Sequence, residues 1–258
     1  MSLELLGILI VCGLLLGMLG TLEIGRRLGV RRMKEDPDGA KAGAGAVEAA
    51  IFGLMGLLLG FTFSGAAARF DARRALLVEE ANCIGTAWLR LDLLPATAQP
   101  DLREKFRHYT NARLEVFRKL PDVKASKAEG ERANQLQNEI WTQTLAACRT
   151  SGEPFTYTLI VPALNQMFDI ATTRTAGARM HPPGIIYAML AVLLLASSLL
   201  AGYHMGAGQA RSWFHSCAFV VVISLAFYVI LDFEFPRVGV IRIQNFDQVL
   251  VDLRQSMK

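Results

Sequence analysis

Leu58–Pro95 reads LLGFTFSGAAARFDARRALLVEEANCIGTAWLRLDLLP, and no proline separates its apolar first half from its charged second half. Proline is the residue that most reliably ends a helix, and none occurs between Val47 and Leu94. The stretch therefore predicts one helix that leaves a membrane and continues into water as a stalk, about 70 Å long at 1.5 Å per residue. The second half has a helical period of its own. Leu77, Ile84, Trp88 and Leu91 recur at spacings of seven, four and three, which puts them on one face.

Working outward, 258 residues with 52% hydrophobic and 19% charged content, at a mean hydropathy of +0.33, are too apolar for an ordinary water-soluble domain. A membrane span needs roughly 20 mainly apolar residues. Four segments approach that length: Leu3 to Ile24, Val47 to Ala68, Ile185 to Tyr203, and Phe214 to Phe233. The first is read as a retained span, because Glu4 stands where a signal peptide is basic and GRRLGVRR follows where a cleavage site would be. The expected class is an all-α membrane protein with four transmembrane helices and a helical soluble domain between the second and third. Its expected parts are a first hairpin (1–68), the soluble domain (69–183), a second hairpin (184–233) and a C-terminal soluble segment (234–258).

Within the soluble block, Asp101 with Glu104 resembles a capping box opening a helix to about Leu120, before Pro121. Ser126 with Glu129 suggests another, to Cys148. SGEP at 151–154 marks a turn. A further helix over 159–180 places Leu164, Met167, Ile170 and Ala171 on one side and stops before Pro182 and Pro183. Only Val238–Ile243 hints at a strand, and it is short.

Four spans place both termini and the large block on one side. The positive-inside rule does not choose the side. Arg26, Arg27, Arg31, Arg32, Lys34, Lys41 and Arg211 on the short connections are matched by Arg69, Arg73, Arg74, Arg174, Arg179, Arg237 and Arg242 opposite. The net charge of +4 comes from such border residues, without the aromatic interleaving of a nucleic-acid surface. Cys12, Cys83, Cys148 and Cys217 form no CxxC pair, and His108, His181, His204 and His215 no HxxxH or HExxH. No metal or cofactor is expected. Ser64, Ser197 and Ser198 lack a GxSxG setting and no phosphate loop is present, which speaks against an enzyme.

Small residues let helices approach closely in lipid. Gly13 with Gly17, and Gly56 with Gly60 extended by Gly53 and Gly65, are the candidate packing positions. On the second span Gly53, Leu57 and Phe61, followed by Gly65 and Arg69, are read as one face at i+4 steps, apolar and then cationic. Glu48, Asp232 and Glu234 near the membrane borders should face protein or water.

Gly60, Phe61, Ala66, Arg69, Phe70, Asp71 and Arg73 resemble the second-span signature of bestrophins, which are anion channels, and DFEFPRVG at 232–239 more loosely resembles their acidic segment after the fourth span. FSGAAARFDARR, EEANCIGTAWLRLDLLP and FPRVGVIRI are more similar still to a bestrophin-like family of bacterial and plant membrane proteins. Thr62, Phe63 and Ser64 stand where bestrophins carry polar residues after the GF pair. The resemblance implies a homo-oligomer, five subunits favoured, around a hydrophobic neck of Gly53, Leu57 and Phe61. It implies Arg69 or Arg73 as rings attracting small anions, a multi-pass place in a cell membrane such as the bacterial inner membrane, and cytoplasmic termini. The acidic residues are too few and too spread for a calcium site. Two other readings remain at this level: a non-conducting scaffold or signalling module, and a stator-like ion-driven complex. The latter requires a titratable group at mid-membrane, and no span carries one there.

Overall fold

The computed structural model describes residues 3–36, 44–120, 122–207, 213–236, 239–241 and 247–258. Lys41, Pro121, Arg211, Arg237, Val238, Arg242 and Ile243 lie outside the described residues. Among the described residues, eight α-helices follow in order: α1 (Leu3–Glu35), α2 (Ala44–Arg90), α3 (Gln99–Arg118), α4 (Val123–Ser151), α5 (Pro154–Arg179), α6 (Gly184–Ala207), α7 (Trp213–Glu234) and α8 (Gln248–Ser256), with a 3-10 turn at Leu91–Leu93. No strand occurs among the described residues. Among the described residues, four helical stretches are long and apolar enough to cross a membrane. The second span does run on as a single helix, α2, of 47 residues.

The chain divides into two compact units, Met1–Arg69 with His181–Phe235, and Phe70–Met180 with Pro236–Lys258. The first holds α1, the first part of α2, α6 and α7. Its core is Leu14, Met18 and Leu22 of α1, Met55 of α2, Leu190 and Leu194 of α6, and Val220 and Phe227 of α7. Rings add edge contacts at 6.2 Å between Phe52 and Phe219 and at 5.6 Å between Phe63 and Phe233. Helix α1 extends well beyond its apolar run. Glu23 holds Arg26 and Arg27 one turn on, at 2.9 and 3.0 Å, so the charged segment stays helical.

What binds α1 to α6 is glycine. A Cβ on Gly202 would stand 1.9 Å from the Leu22 carbonyl oxygen, one on Gly25 1.9 Å from that of Leu199, one on Gly29 2.1 Å from that of Tyr203, and one on Gly206 2.3 Å from that of Arg26. The two backbones touch, and only hydrogen fits between them. These pairs, and not Gly13 with Gly17, make the close crossing within this unit.

In the second unit α2, α3, α4, α5 and α8 bury Ile84, Trp88, Leu91, Leu102, Phe106, Tyr109, Ile140, Leu164, Met167 and Leu250. The expected helix starts move. Helix α3 opens two residues before Asp101, with Pro100 in its first turn and Ala98 as N-cap, so no Asp101–Glu104 box forms. Helix α4 opens at Val123 because the Asp122 side chain accepts from Ala125 N at 3.0 Å. Ser126 is then a buried interior residue that donates to Val116 O at 2.6 Å, and Glu129 pairs with Lys119. Gly152, at φ 67, ends α4 in the left-handed conformation that favours glycine, and α5 starts immediately at Pro154.

Candidate functional site

Along the membrane part of α2, Met55 and Ala66 turn inward to the core, and Phe52 is held by Phe219. The opposite face is bare. Leu57 is 53% and Phe61 65% exposed, and Gly53, Gly56, Gly60 and Ser64 are exposed beside them. A Cβ on Gly13, Gly53, Gly56 or Gly60 would meet nothing within 4 Å, whereas one on Gly17 would touch Leu195 at 3.1 Å. Within the chain, then, Gly17 alone of the expected packing pairs contacts a neighbouring helix. Thr62, next to Phe61, hides its hydroxyl by donating to Leu58 O and Leu59 O at 2.8 and 3.0 Å.

The two arginines expected to attract anions are both engaged within the chain. Arg69 lies back across Gly65, where a Cβ would stand 3.2 Å from its Nη1, and donates from Nε to Glu234 Oε2 at 2.9 Å. Glu234 is fully buried at the end of α7, and its other oxygen is 2.9 Å from His181 Nδ1, whose ring stacks on Phe235 at 4.8 Å. A carboxylate removed from water requires such partners. Arg73, in the second unit, is buried and donates to the last carbonyls of α5, Met180 O at 2.8 Å and Gly177 O at 3.4 Å. At the start of α2, Glu48 is buried with Oε2 3.4 Å from His204 Nδ1. Among the described residues, no group of three or more His, Cys, Asp or Glu could hold a metal ion.

The second unit contains a charge cluster that sequence reasoning missed. Glu80 of α2, with its carboxylate fully buried, accepts from Arg113 of α3 and Arg174 of α5. Asp247 lies 3.7 Å from Arg174, and the Arg174 guanidinium covers the Phe117 ring at 3.8 Å. Arg113 also donates to Ala171 O at 3.1 Å. Two carboxylates against two guanidiniums leave no net charge inside. Burial opposes the Arg113 charge, but the Glu80 carboxylate more than offsets it and its pKa stands above the ordinary value. Tyr109 beside them, accepting from Gln137 Nε2 at 3.2 Å, has its phenol pushed up chiefly by burial. A signal existed: Glu80 falls at i+3 from Leu77 and i−4 from Ile84, inside the apolar stripe.

Four apolar spans, all-helical units and ion pairs at the span ends define a multi-pass integral membrane protein of four helices. The Bestrophin-like domain model matches residues 12–246, and the chain belongs to that family. Among solved structures, a bacterial bestrophin homolog from Klebsiella pneumoniae carrying a point mutation is similar at 14% identity and TM-score 0.68, over 94% of this chain and 98% of that one. A second mutant of the same homolog gives 14% and 0.67 over 95% and 98%, and a crystal structure described as a membrane protein gives 12% and 0.67 over 93% and 94%. No curated protein matches the chain in sequence.

Proposed function

We propose that copies of this chain assemble side by side in a cell membrane into an ion channel whose narrow neck is lined by Gly53, Leu57 and Phe61 of α2. The observation that carries the reading is the bare face of α2 within the first unit. Gly53, Gly56 and Gly60 present a smooth surface to which lipid gives no advantage and which another helix can approach closely. Leu57 and Phe61 beside them supply the apolar constriction, one that opens and closes by gaining and losing its water. Thr62 contributes no exposed hydroxyl to that stretch. Five subunits and cytoplasmic termini are what the family favours. The cargo is small inorganic ions. Of the two arginines expected to attract anions, Arg73 is occupied by the end of α5 and Arg69 by Glu234, so conduction of small anions has the family resemblance as its support.

The test is purified protein in planar bilayers, with the mass of the detergent complex measured in parallel. An oligomer that carries current, with Phe61→Ala raising conductance or removing closure, is the expected result. A monomer, or silence across voltage and salt, overturns the channel and leaves the scaffold reading.

A further inference from the structure

Helix α1 is longer than the hydrocarbon layer is thick. Leu5–Leu22 carries no charged residue and covers about 27 Å at 1.5 Å per residue, close to the roughly 30 Å of a bilayer core. From Glu23 to Glu35 the same helix runs on for about 20 Å, through the headgroup level and into water. Glu23–Asp36 holds five cations, Arg26, Arg27, Arg31, Arg32 and Lys34, against three carboxylates, Glu23, Glu35 and Asp36, which leaves two net positive charges.

Their directions decide what they can meet. In an unbroken helix eighteen residues make five full turns. Five turns before Arg27, Arg31 and Lys34 stand Leu9, Gly13 and Leu16, and all six residues are exposed. The outward stripe of α1 therefore begins apolar and ends in three cations. On the back of the same turns Gly25 and Gly29 lie in backbone contact with Leu199 and Tyr203 of α6, so the cations are displayed on a helix held from behind. Arg27 shares Glu23 with Arg26, and Arg32, off to the side, pairs with Asp36 at 3.1 Å. Arg31 and Lys34 have no ion pair among the described residues. Ile24 and Leu28 are exposed among the cations. Helical side chains lean toward the N-terminus, which carries the Arg31 and Lys34 head groups back toward the membrane edge.

We infer that this end of α1 binds an anionic phospholipid, its phosphate held by the Arg27 and Arg31 guanidiniums, with Lys34 adding charge and the upper acyl chains against Ile24 and Leu28. A guanidinium presents a rigid fork of donors that matches phosphate, and Arg27 and Arg31 stand one turn apart. Glu23 keeps Arg26 when Arg27 turns to the phosphate. The occupant follows from where the stripe runs: its apolar part borders acyl chains, so the group next to its cations is a lipid headgroup, and basic clusters at that level draw anionic lipids. A zwitterionic headgroup brings its own cation and meets the two net positive charges less well. The inference stands apart from the channel reading, since it involves neither α2 nor conduction.

The experiment is native mass spectrometry of the detergent-purified full-length protein, titrated with phosphatidylglycerol and with phosphatidylcholine of identical acyl chains. Each Lys or Arg near an anionic surface is worth about fivefold in attraction, so two net charges give a preference for phosphatidylglycerol of about 25-fold at low ionic strength. The preference should shrink as salt is added. It should fall to about fivefold in Arg31→Gln and vanish in Arg31→Gln/Lys34→Gln. Both side chains are exposed, so the double variant should melt with the wild type; if it does not fold, Arg31→Gln and the salt titration carry the test. A wild type that binds the two lipids alike, or a preference that the substitutions leave unchanged, overturns the inference. The same spectra count subunits. Variants that lose subunits while keeping the lipid preference assign this face to a neighbouring copy, and overturn it as well.

Discussion

Gly202→Ala is, with Gly25→Ala, among the most severe single-methyl changes at the described glycines of the first unit. The added carbon would lie 1.9 Å from the Leu22 carbonyl oxygen and 2.7 Å from its carbon. Real side chains keep about 3.4 Å, so α1 and α6 must separate by roughly 1.5 Å. A gap of 0.5–1 Å already forfeits a quarter to a half of each dispersion contact, and here it would open along a crossing that also includes Gly25, Gly29 and Gly206. The loss is placed at the top of the overpacking range, about 3 kcal/mol. Gly13→Ala is the control on the same pair of helices. Its Cβ meets nothing within 4 Å, and alanine is the better helix former by about 1 kcal/mol. The assay is thermal unfolding of the detergent-solubilised protein, followed by far-UV circular dichroism and by monodispersity on size exclusion. Gly202→Ala should melt well below wild type and Gly13→Ala at or above it. A Gly202→Ala protein that melts with the wild type would refute the claim that backbone contact, and not side-chain filling, holds α1 to α6.

Two further outcomes concern the second unit. Glu80→Gln leaves the Arg113 and Arg174 guanidiniums buried against a neutral amide; breaking a buried pair from one side costs about 3–5 kcal/mol, which should appear as early unfolding reported by Trp88 and Trp141. The Tyr109 phenol is held above its ordinary pKa, first by burial and further by Glu80, with Arg113 opposing. The folded state therefore favours the neutral phenol: its stabilisation is complete below about pH 10, the unfolded value, and is lost as pH rises toward the higher folded one. Melting temperatures between pH 8 and 11 should fall less steeply in Tyr109→Phe than in wild type, after a neutral-pH loss of about 1 kcal/mol for the Gln137 hydrogen bond.

The continuity of α2 was legible because it depends on one local fact, the absence of proline over Val47–Leu94. The face carrying Leu77, Ile84 and Trp88 was legible for a similar reason, since a 3.6-residue period is written in the chain itself. Features that depend on a partner helix were not. Gly25, Gly29, Gly202 and Gly206 matter only because two distant segments bring them together, and neither segment announces the other. Caps shift where two residues able to start a helix stand close together: Asp122 precedes Ser126 and captures the start of α4, while Pro100 presets the start of α3 ahead of Asp101. Counting in fours puts Arg69 on the neck face, a step that is sound over one or two turns and fails over four. Its engagement with Glu234, 165 residues away, follows from tertiary structure alone.

Thr62 carries a mechanical consequence. Because its hydroxyl is shared between the Leu58 and Leu59 oxygens, those two carbonyls keep a donor even when the amide bonds of that turn stretch. Flexing a helix at a dry level ordinarily strands an oxygen at a penalty of several kcal/mol. Here the side chain provides a reserve bond one residue past Phe61, on a stretch of helix that no proline interrupts.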